Sequence, residues 1–235
     1  MTAAPDGHVL DDMVWHALTG PQGHLAESSS DGVAHRYTDD IAPFCGVRRL
    51  DTRGWASLSE LVGPEGVAVF LRGEVEPTPA DWRELLREPA TQYLAGGLSD
   101  PPAPANREVV ELTASDSPDM VALAAATEPG PFGPNSHRTG RWFGIRRGGR
   151  LVAMAGERIR VDGYGEVSGV CVDPAVRGEG LGAVVTLAAA RGIQDRGDRA
   201  VLHVRDGNDG AHRLYQRIGF TPRRTVTVAV LRPAS

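Results

Sequence analysis

Three glycines at the start of a predicted helix are the residues of this chain with the clearest chemical use. Gly178, Gly180 and Gly182 follow an apolar segment that ends at Asp173-Pro174. Glycine costs helix stability, so another requirement must place it there. A glycine-rich first turn exposes unpaired backbone N–H groups at the positive end of the helix dipole, and no Cβ obstructs an anion. The spacing therefore predicts a phosphate-binding turn.

Two common phosphate-binding loops do not fit this turn. A P-loop requires Gly-Lys-Ser/Thr, and the chain contains no lysine. A dinucleotide fingerprint requires G-x-G-x-x-G, whereas these glycines are spaced G-x-G-x-G. Asp198, about twenty residues further on, precedes the next predicted strand, whereas a ribose-binding acid should follow it.

A second polar motif lies about thirty residues downstream. Residues 208–220 have the pattern N-x-x-A-x-x-L-Y-x-x-x-G-F. Ala211, Leu214, Tyr215 and Ile218 recur at the spacing of one helical face, and Gly219 is expected to end the helix in the left-handed conformation.

Together, the two motifs resemble one known family. The pattern V-C-V-D-P-x-x-R-G-x-G-x-G is similar to the acyl-CoA pyrophosphate loop of the GNAT superfamily of N-acyltransferases. The segment from Asn208 to Phe220 is similar to the final motif of the same superfamily, and L-V-A-M-A-G-E-R, upstream of both, looks like its third strand. The resemblance covers most of residues 166–222 and leaves the N-terminal 100 residues outside it.

The resemblance implies a set of residues that bind acetyl-CoA as the acyl donor, with no metal. Backbone groups of Val170, Cys171 and Val172 would pair with the pantetheine arm like an added strand. Asn208 and Ala211 would contact it from the other side, where two central strands separate. The pyrophosphate would be bound by backbone N–H groups of Arg177, Gly178, Glu179, Gly180, Leu181 and Gly182. Cys171 is interpreted as a small residue beside the donor rather than as a nucleophile.

The same resemblance implies direct attack of an amine on the thioester in a ternary complex. Tyr215 would contact the donor and serve the leaving thiolate, although transfer from a phenol of pKa ~10 to a thiolate of pKa ~8.5 is uphill by about 2 kcal/mol. A packed aromatic is the alternative for Tyr215. Glu166 is the first candidate for the general base, followed by Glu157 and His203, and His203 could equally be a core residue.

Three residues are candidates for binding the acceptor. Residues 129–140, P-G-P-F-G-P-N-S-H-R-T-G, contain too many prolines and glycines for regular structure. Loops that carry aromatics and histidine beside such a fold often line a pocket, so Phe132 and His137 are candidates together with Glu157. A rigid connector with Phe132 packed into the core remains the alternative.

The elements around these motifs predict an α/β fold of the GNAT type, with a mixed α+β central sheet flanked by helices. A smaller N-terminal α/β lobe is expected at residues 1–97, a linker at 98–106, and the acetyltransferase domain at 107–235. The N-terminal lobe is interpreted as supporting or covering the other domain, or as a degenerate GNAT-like half. Helices are expected near residues 9–18, 55–62 and from Asp81, and a buried strand at 66–71.

Composition narrows the classes of function. The net charge of −5 provides no basic field for nucleic acid or anionic lipid. Without a signal peptide or a membrane-length apolar segment, a cytoplasmic location is expected. Two cysteines indicate neither a disulfide framework nor a metal site.

The preferred hypothesis is an N-acetyltransferase that acts on a primary amine of a small molecule or a peptide. The alternative is a non-catalytic acyl-CoA-binding sensor or scaffold module. A further hypothesis is that the N-terminal lobe binds a partner and that the protein forms a homodimer through it.

Overall fold

The structure, a computed structural model, describes residues 8–100 and 108–234, which form two compact units. Of the described residues, the first unit contains 8–38, 43–90 and 225–234, and the second contains 39–42, 91–100 and 108–224. This division differs from the predicted boundary at residues 98–106: the chain passes between the units at residues 38–39, 42–43, 90–91 and 224–225, and the last two of these points lie within long strands. Most of the predicted linker lies outside the described residues.

The helices and strands of the described residues bear out most of the predicted elements. The helices are α1 (Met13–Leu18), α2 (Thr52–Val62), α3 (Ser117–Thr127), α4 (Leu181–Gln194) and α5 (Asp209–Arg217). The strands are β1 (Ala26–Ser28), β2 (Ala34–Tyr37), β3 (Cys45–Val47), β4 (Ala68–Arg72), β5 (Trp82–Ala95), β6 (Val109–Leu112), β7 (Trp142–Arg147), β8 (Arg150–Val161), β9 (Tyr164–Val172), β10 (Arg199–Arg205) and β11 (Phe220–Pro233).

The first unit has a small antiparallel sheet, β1-β2-β3, and an antiparallel pairing of β4 with residues 227–231 of β11. Helix α2 begins at Asp51, whose side chain accepts a hydrogen bond from the Gly54 N–H at 3.0 Å. It ends at Gly63, whose φ of 68° a residue with a Cβ rarely adopts. Trp55 packs between Phe70 and Trp82 in the core of this unit.

The second unit is a mixed sheet with helices on both faces. Its strands run in the order β5-β10-β9-β8-β7-β6, with β9 parallel to β10 and antiparallel pairs from β9 to β6. Consecutive residues of β8 enter different cores: Ala153 and Ala155 pack with α4, whereas Met154 packs with α3. Since successive side chains of a strand point to opposite faces, α3 and α4 cover opposite faces of the sheet. The predicted fold class is confirmed.

The helix predicted from Asp81 is wrong, because the segment belongs to strand β5. The prediction used a single triplet, Trp82, Leu85 and Leu86, and both leucines are exposed, at 45% and 37%. Strand pairing beside β11 determines the conformation here, and tertiary pairing routinely overrides so short a helical pattern.

In the part of the chain that the structure describes, no helix combines the length and the apolar character needed to cross a membrane.

Candidate functional site

A large cleft of the second unit opens where β9 and β10 separate. The two strands pair in parallel from Tyr164–Arg199 to Glu166–Val201. Beyond that point residues 167–170 and 203–208 form two walls of a cleft of about 570 Å³. Residues 127–130, at the end of helix α3 and just after it, form a third wall, and Ala211 and Tyr215 contribute from helix α5. A crevice between separated strands exposes backbone groups of both strands to a ligand.

A bulge in β9 determines which side chains face the cleft. The register of β9 against β8 shifts between Met154–Cys171 and Gly156–Ser168, so that two residues of β9 oppose Ala155. Gly169 adopts the required left-handed conformation, with φ of 59°. An extra residue exchanges the faces of all residues after it. Val170 and Val172 therefore pack on the core that contains α4 and α5, and Cys171 points to the core beneath α3.

Trp142 of β7 supports this bulge from below. A Cβ placed on Gly169 would lie 2.5 Å from the Trp142 ring, and one on Gly156 would lie 2.1 Å from it. Both distances are far below van der Waals contact, so neither glycine tolerates a side chain without displacing the ring. We expect Gly169→Ala to lower the free energy of unfolding by more than about 2 kcal/mol, since overpacking and left-handed strain add. Urea denaturation measures this effect, and Gly163→Ala, which is also left-handed but in open space, is the matched control.

Two glycines of the turn that the sequence predicts to bind phosphate have left-handed backbone conformations. Gly178 and Gly180 have φ of 86° and 75°, and Gly180 occupies the N-cap position of α4 without a capping side chain. A Cβ at Gly178 would meet no atom within 4 Å. A Cβ at Gly182 would lie 3.5 Å from Leu214 of α5 and 3.6 Å from Val172 of β9. The start of α4 thus adjoins the end of β9 and the first turns of α5.

Arg177 and Glu179 of the turn are exposed and have partners on neighbouring strands. The Arg177 Nε lies 3.4 Å from the Val172 carbonyl oxygen, and Glu179 pairs with Arg147 of β7 at 2.5 Å. Leu181, in contrast, is buried in the core that contains α4. These contacts hold the turn in place and leave its backbone at the surface.

Helix α5 forms one wall of the cleft. Asn208 caps this helix, since its Oδ1 accepts a hydrogen bond from the Ala211 N–H at 3.1 Å. Tyr215 lies one helical turn further, is 8% exposed and packs against Phe220. Burial raises the pKa of Tyr215 well above its usual value. The phenol is therefore a hydrogen-bond donor at every pH at which the protein is expected to work.

The thiol of Cys171 is buried. It is 1% exposed and packs with Met120 and Trp142 beneath the sheet. Burial raises its pKa to about 11. The thiol therefore stays protonated at neutral pH, as expected for a small core residue and not for a nucleophile.

Glu166 has both carboxylate oxygens occupied. Arg158 donates two hydrogen bonds to it at 2.8 and 2.9 Å, and the Nδ1 of His203 lies 2.8 Å from its Oε1. Burial alone would raise the pKa of Glu166, but the charge of Arg158 and the hydrogen bond with His203 lower it to about 2. A carboxylate so weakly basic and so fully paired is a poor general base, and Glu166 is not among the residues that line the cleft.

His203 lines the cleft, but its two ring nitrogens are also occupied. Its Nε2 lies 2.9 Å from the Gln92 side-chain nitrogen, and the Gln92 Oε1 accepts a hydrogen bond from Arg223 at 2.7 Å. Arginine can only donate, so the Gln92 oxygen must face Arg223 and its NH₂ must face His203. The His203 Nε2 is consequently an acceptor, and the proton lies on Nδ1, directed at Glu166.

The predicted acceptor-binding residues lie outside the large cleft. Phe132 packs edge-on against Trp142, with ring centroids 5.2 Å apart, beside a cavity of about 10 Å³. The His137 Nδ1 lies 3.1 Å from the Pro134 carbonyl oxygen. Glu157 is 2% exposed and is bound through both oxygens by Arg196, at 2.5 and 3.1 Å. Burial raises the pKa of Glu157, and Arg196 offsets part of that effect. These positions favour structural roles for all three residues.

The second unit thus combines, in one mixed α/β fold, two parallel strands that separate, a glycine-rich helix start and a buried tyrosine in the wall of the cleft. The profile of a family described as "FR47-like protein" matches residues 142–229. A solved structure of a GNAT-family protein from Novosphingobium aromaticivorans is 36% identical in sequence, with a TM-score of 0.85. That match covers 97% of this chain and 100% of the other. The chain belongs to the GNAT family.

Curated relatives match a shorter segment. A mycothiol acetyltransferase of Thermomonospora curvata is 44% identical over 80 residues, which are 34% of this chain and 27% of that protein. A mycothiol acetyltransferase of Thermobispora bispora is 42% identical over 94 residues, or 37% of this chain and 32% of that protein. The matched segments thus span about a quarter to a third of the length of these relatives.

Proposed function

We propose that this protein is an N-acetyltransferase that moves an acetyl group from acetyl-CoA to a primary amine by direct attack. The observation that carries the proposal is the cleft between β9 and β10, with the glycine turn near one end and Tyr215 in its wall. Family membership and the names of the curated relatives support the same chemistry.

The residues present fit acetyl-CoA as the acyl donor. Backbone N–H groups of Arg177 to Gly182 would hold the pyrophosphate, because the start of the 14-residue helix α4 supplies a positive dipole end; the Arg177 N–H also bonds the Pro174 carbonyl oxygen at 3.4 Å. Val170 and Val172 would offer backbone hydrogen bonds to the pantetheine arm along β9, and Asn208 and Ala211 would contact it from α5. When bound, acetyl-CoA supplies the activated acyl group.

Tyr215 would stabilise the leaving group by hydrogen bonding. Its burial favours the neutral phenol, so the O–H can donate a hydrogen bond to the developing thiolate. Complete transfer of the proton to the thiolate would be uphill in free energy, because the pKa of the phenol is raised. A backbone N–H of the Val170–Val172 segment would polarise the carbonyl of the acyl group.

Glu166 would act by fixing His203 and not by accepting the proton of the amine. Its oxygens are bound by Arg158 and His203, and its low pKa leaves little driving force for proton uptake. The amine would then lose its proton to solvent before attack.

We further propose that the acceptor is a small molecule with a primary amine. The curated relatives, named mycothiol acetyltransferases, support this class over a protein substrate. Homodimer formation and a cytoplasmic location stay predictions from the sequence.

Tyr215→Phe is expected to lower kcat by about 100-fold or more, since a positioned proton donor typically contributes 10²–10⁴-fold. The dissociation constant for acetyl-CoA should change by less than about threefold, because the ring remains. Release of free CoA thiol in the presence of a primary amine measures kcat, and calorimetric titration measures binding. Tyr93→Phe removes another hydroxyl, bonded to His212 at 2.7 Å outside the cleft, and should leave kcat unchanged.

A non-catalytic acyl-CoA-binding module predicts a different result for the same pair of variants. It would bind acetyl-CoA in the wild type, Tyr215→Phe and Tyr93→Phe proteins, and none of the three would release CoA faster when an amine is added. Such a result would contradict the proposed acetyl transfer but not the binding of acetyl-CoA.

A further inference from the structure

Glu128 has a backbone conformation that glutamate rarely adopts. It follows helix α3 at the C-cap, with φ of 49° and ψ of 56°. Among the described residues, Glu128 is the one residue other than glycine with a positive φ. This left-handed position is usually glycine or asparagine, because a Cβ there crowds the backbone. Local backbone energetics therefore disfavour the residue that is present.

Electrostatics disfavour glutamate at the same position. The C-terminal end of a helix carries a partial negative charge, and cations are preferred there. A carboxylate at the end of α3 meets this charge unfavourably. Two independent local preferences are thus violated at one residue, a pattern that occurs mainly at functional sites.

The position of Glu128 points to a function for this unfavourable residue. It lines the large cleft with Thr127, Pro129 and Gly130, in the wall formed by the loop after α3. Its side chain is exposed, and its carboxylate makes no hydrogen bond or ion pair with any other residue that the structure describes; the backbone N–H bonds the Ala124 carbonyl oxygen at 2.8 Å.

The other acidic and imidazole groups of the cleft already have partners. Asp206 accepts a hydrogen bond from the Thr91 hydroxyl at 3.1 Å. His203 is held between Glu166 and Gln92. Within the described lining, Glu128 is therefore the carboxylate without a hydrogen-bonded side-chain partner, whereas Asp206 has one such bond, through its Oδ1.

We propose that Glu128 binds the ammonium group of the acceptor, so that the acceptor class is a cationic primary amine. This inference rests on the proposed acetyl transfer. A carboxylate that pairs with the incoming ammonium strengthens substrate binding without contacting the reacting carbonyl. Because the amine must lose its proton before attack, this pairing acts on the bound ground state, so it lowers KM and its removal should not lower kcat.

The decisive variant is Glu128→Gly, because it separates stability from acceptor binding. Glycine relieves the left-handed strain and removes the unfavourable charge, so Tm without ligand should rise by about 2–4 °C. The shift of Tm by acetyl-CoA should stay the same. The KM for L-alaninamide should rise by about 10- to 100-fold, the contribution of a charged hydrogen bond, with kcat at or above the wild-type value.

Two further variants isolate the charge. Glu128→Gln keeps the size and the strain but removes the charge, and it should show the same rise in KM without the rise in Tm. Glu128→Asp keeps the charge and should retain most of the acceptor affinity. Added salt should raise KM for the wild type and Glu128→Asp and leave Glu128→Gln nearly unaffected.

The acceptors tested are L-alaninamide and 1,4-diaminobutane, which are cationic, and aniline, which is neutral at pH 7. An unchanged KM in Glu128→Gly, or loss of both Tm and kcat, would overturn the role of Glu128. Acetylation of aniline alone would overturn the cationic acceptor class. A wild-type protein that shows no acetyl-CoA shift and acetylates none of the three would instead contradict the proposed function itself.

Discussion

Replacing Gly180 by aspartate is expected to weaken acetyl-CoA binding by at least about 100-fold. The new carboxylate would stand at the N-cap of α4, beside the N–H groups assigned to the pyrophosphate. Two unit charges ~4 Å apart repel by about 4 kcal/mol at an effective dielectric constant of ~20, which exceeds the ~2.7 kcal/mol that corresponds to 100-fold. Aspartate is also a good N-cap residue, so the fold should tolerate the change. Calorimetric titration with acetyl-CoA measures the effect.

Gly180→Asn is the matched control for this experiment. Asparagine has nearly the same shape, tolerates the left-handed φ of 75° and caps helices as well as aspartate, but carries no charge. We expect it to weaken binding by less than about tenfold, through crowding alone. Equal losses in both variants would show that space and not charge governs the site. Unchanged binding in Gly180→Asp would place the pyrophosphate elsewhere.

Glu166→Gln is expected to lower the free energy of unfolding by about 3–5 kcal/mol at pH 7, because it leaves a buried arginine without its counter-ion. Glu166 is 1% exposed, and the side chain of its partner Arg158 is 14% exposed. The amide cannot accept both hydrogen bonds of the Arg158 fork and the hydrogen bond from His203. A shift of the urea midpoint with an unchanged denaturant slope measures this loss.

Glu111→Gln is the control, since Glu111 pairs with Arg141 in the same two-pronged way at the surface. The two side chains are 48% and 43% exposed, and the N–O distances are 2.8 and 3.0 Å. Exposed ion pairs contribute less than about 1 kcal/mol, so this variant should unfold close to the wild type. If Glu166→Gln lost equally little unfolding free energy, the buried network would not be a stabilising element.

The loss of unfolding free energy in Glu166→Gln should become smaller as pH falls. The pKa of Glu166 is about 2 in the folded protein and near 4.5 without the fold. The unfolded chain therefore binds more protons between these values, so the stabilisation by Glu166 is complete above about pH 4.5 and is lost as pH falls toward 2. The difference between wild type and variant should shrink over the same interval. A difference that is constant from pH 6 to pH 3 would contradict the assignment of the low pKa.

The glycine turn and helix α5 could be predicted because their signals are local. Glycines that need positive φ, an asparagine N-cap and a 3.6-residue apolar spacing are all visible within about a dozen residues. The structure shows Gly178, Gly180 and Gly219 with positive φ, and Asn208 as the cap of α5. Local sequence was therefore sufficient for these parts of the candidate site.

The polar network behind the cleft could not be predicted, because its members are distant in sequence. Gln92 and Arg223 are 131 residues apart, and their contact depends on neighbouring long strands. Without that pairing, Glu166 looked like an available base and His203 like its alternative. The bulge did leave a signal, since an isolated glycine within a strand pattern, Gly169, commonly marks one.

Tertiary pairing also explains the wrong secondary structure of residues 82–95. The short helical triplet there was local, whereas the strand is stabilised by β11, more than 120 residues away. The left-handed Glu128 was equally hidden, because its sequence neighbours Pro129 and Gly130 predict a loop but not which residue adopts the positive φ.

Transfer of a ¹³C-labelled acetyl group from acetyl-CoA to an amine tests the central claim most directly. The labelled donor is incubated with the protein and each of the cationic amines, and the products are followed by ¹³C NMR. We predict that the label appears in an amide carbonyl, at a rate that falls sharply in Tyr215→Phe and Gly180→Asp. Label that stays in the thioester, or appears only as free acetate, would contradict the assignment of an N-acetyltransferase.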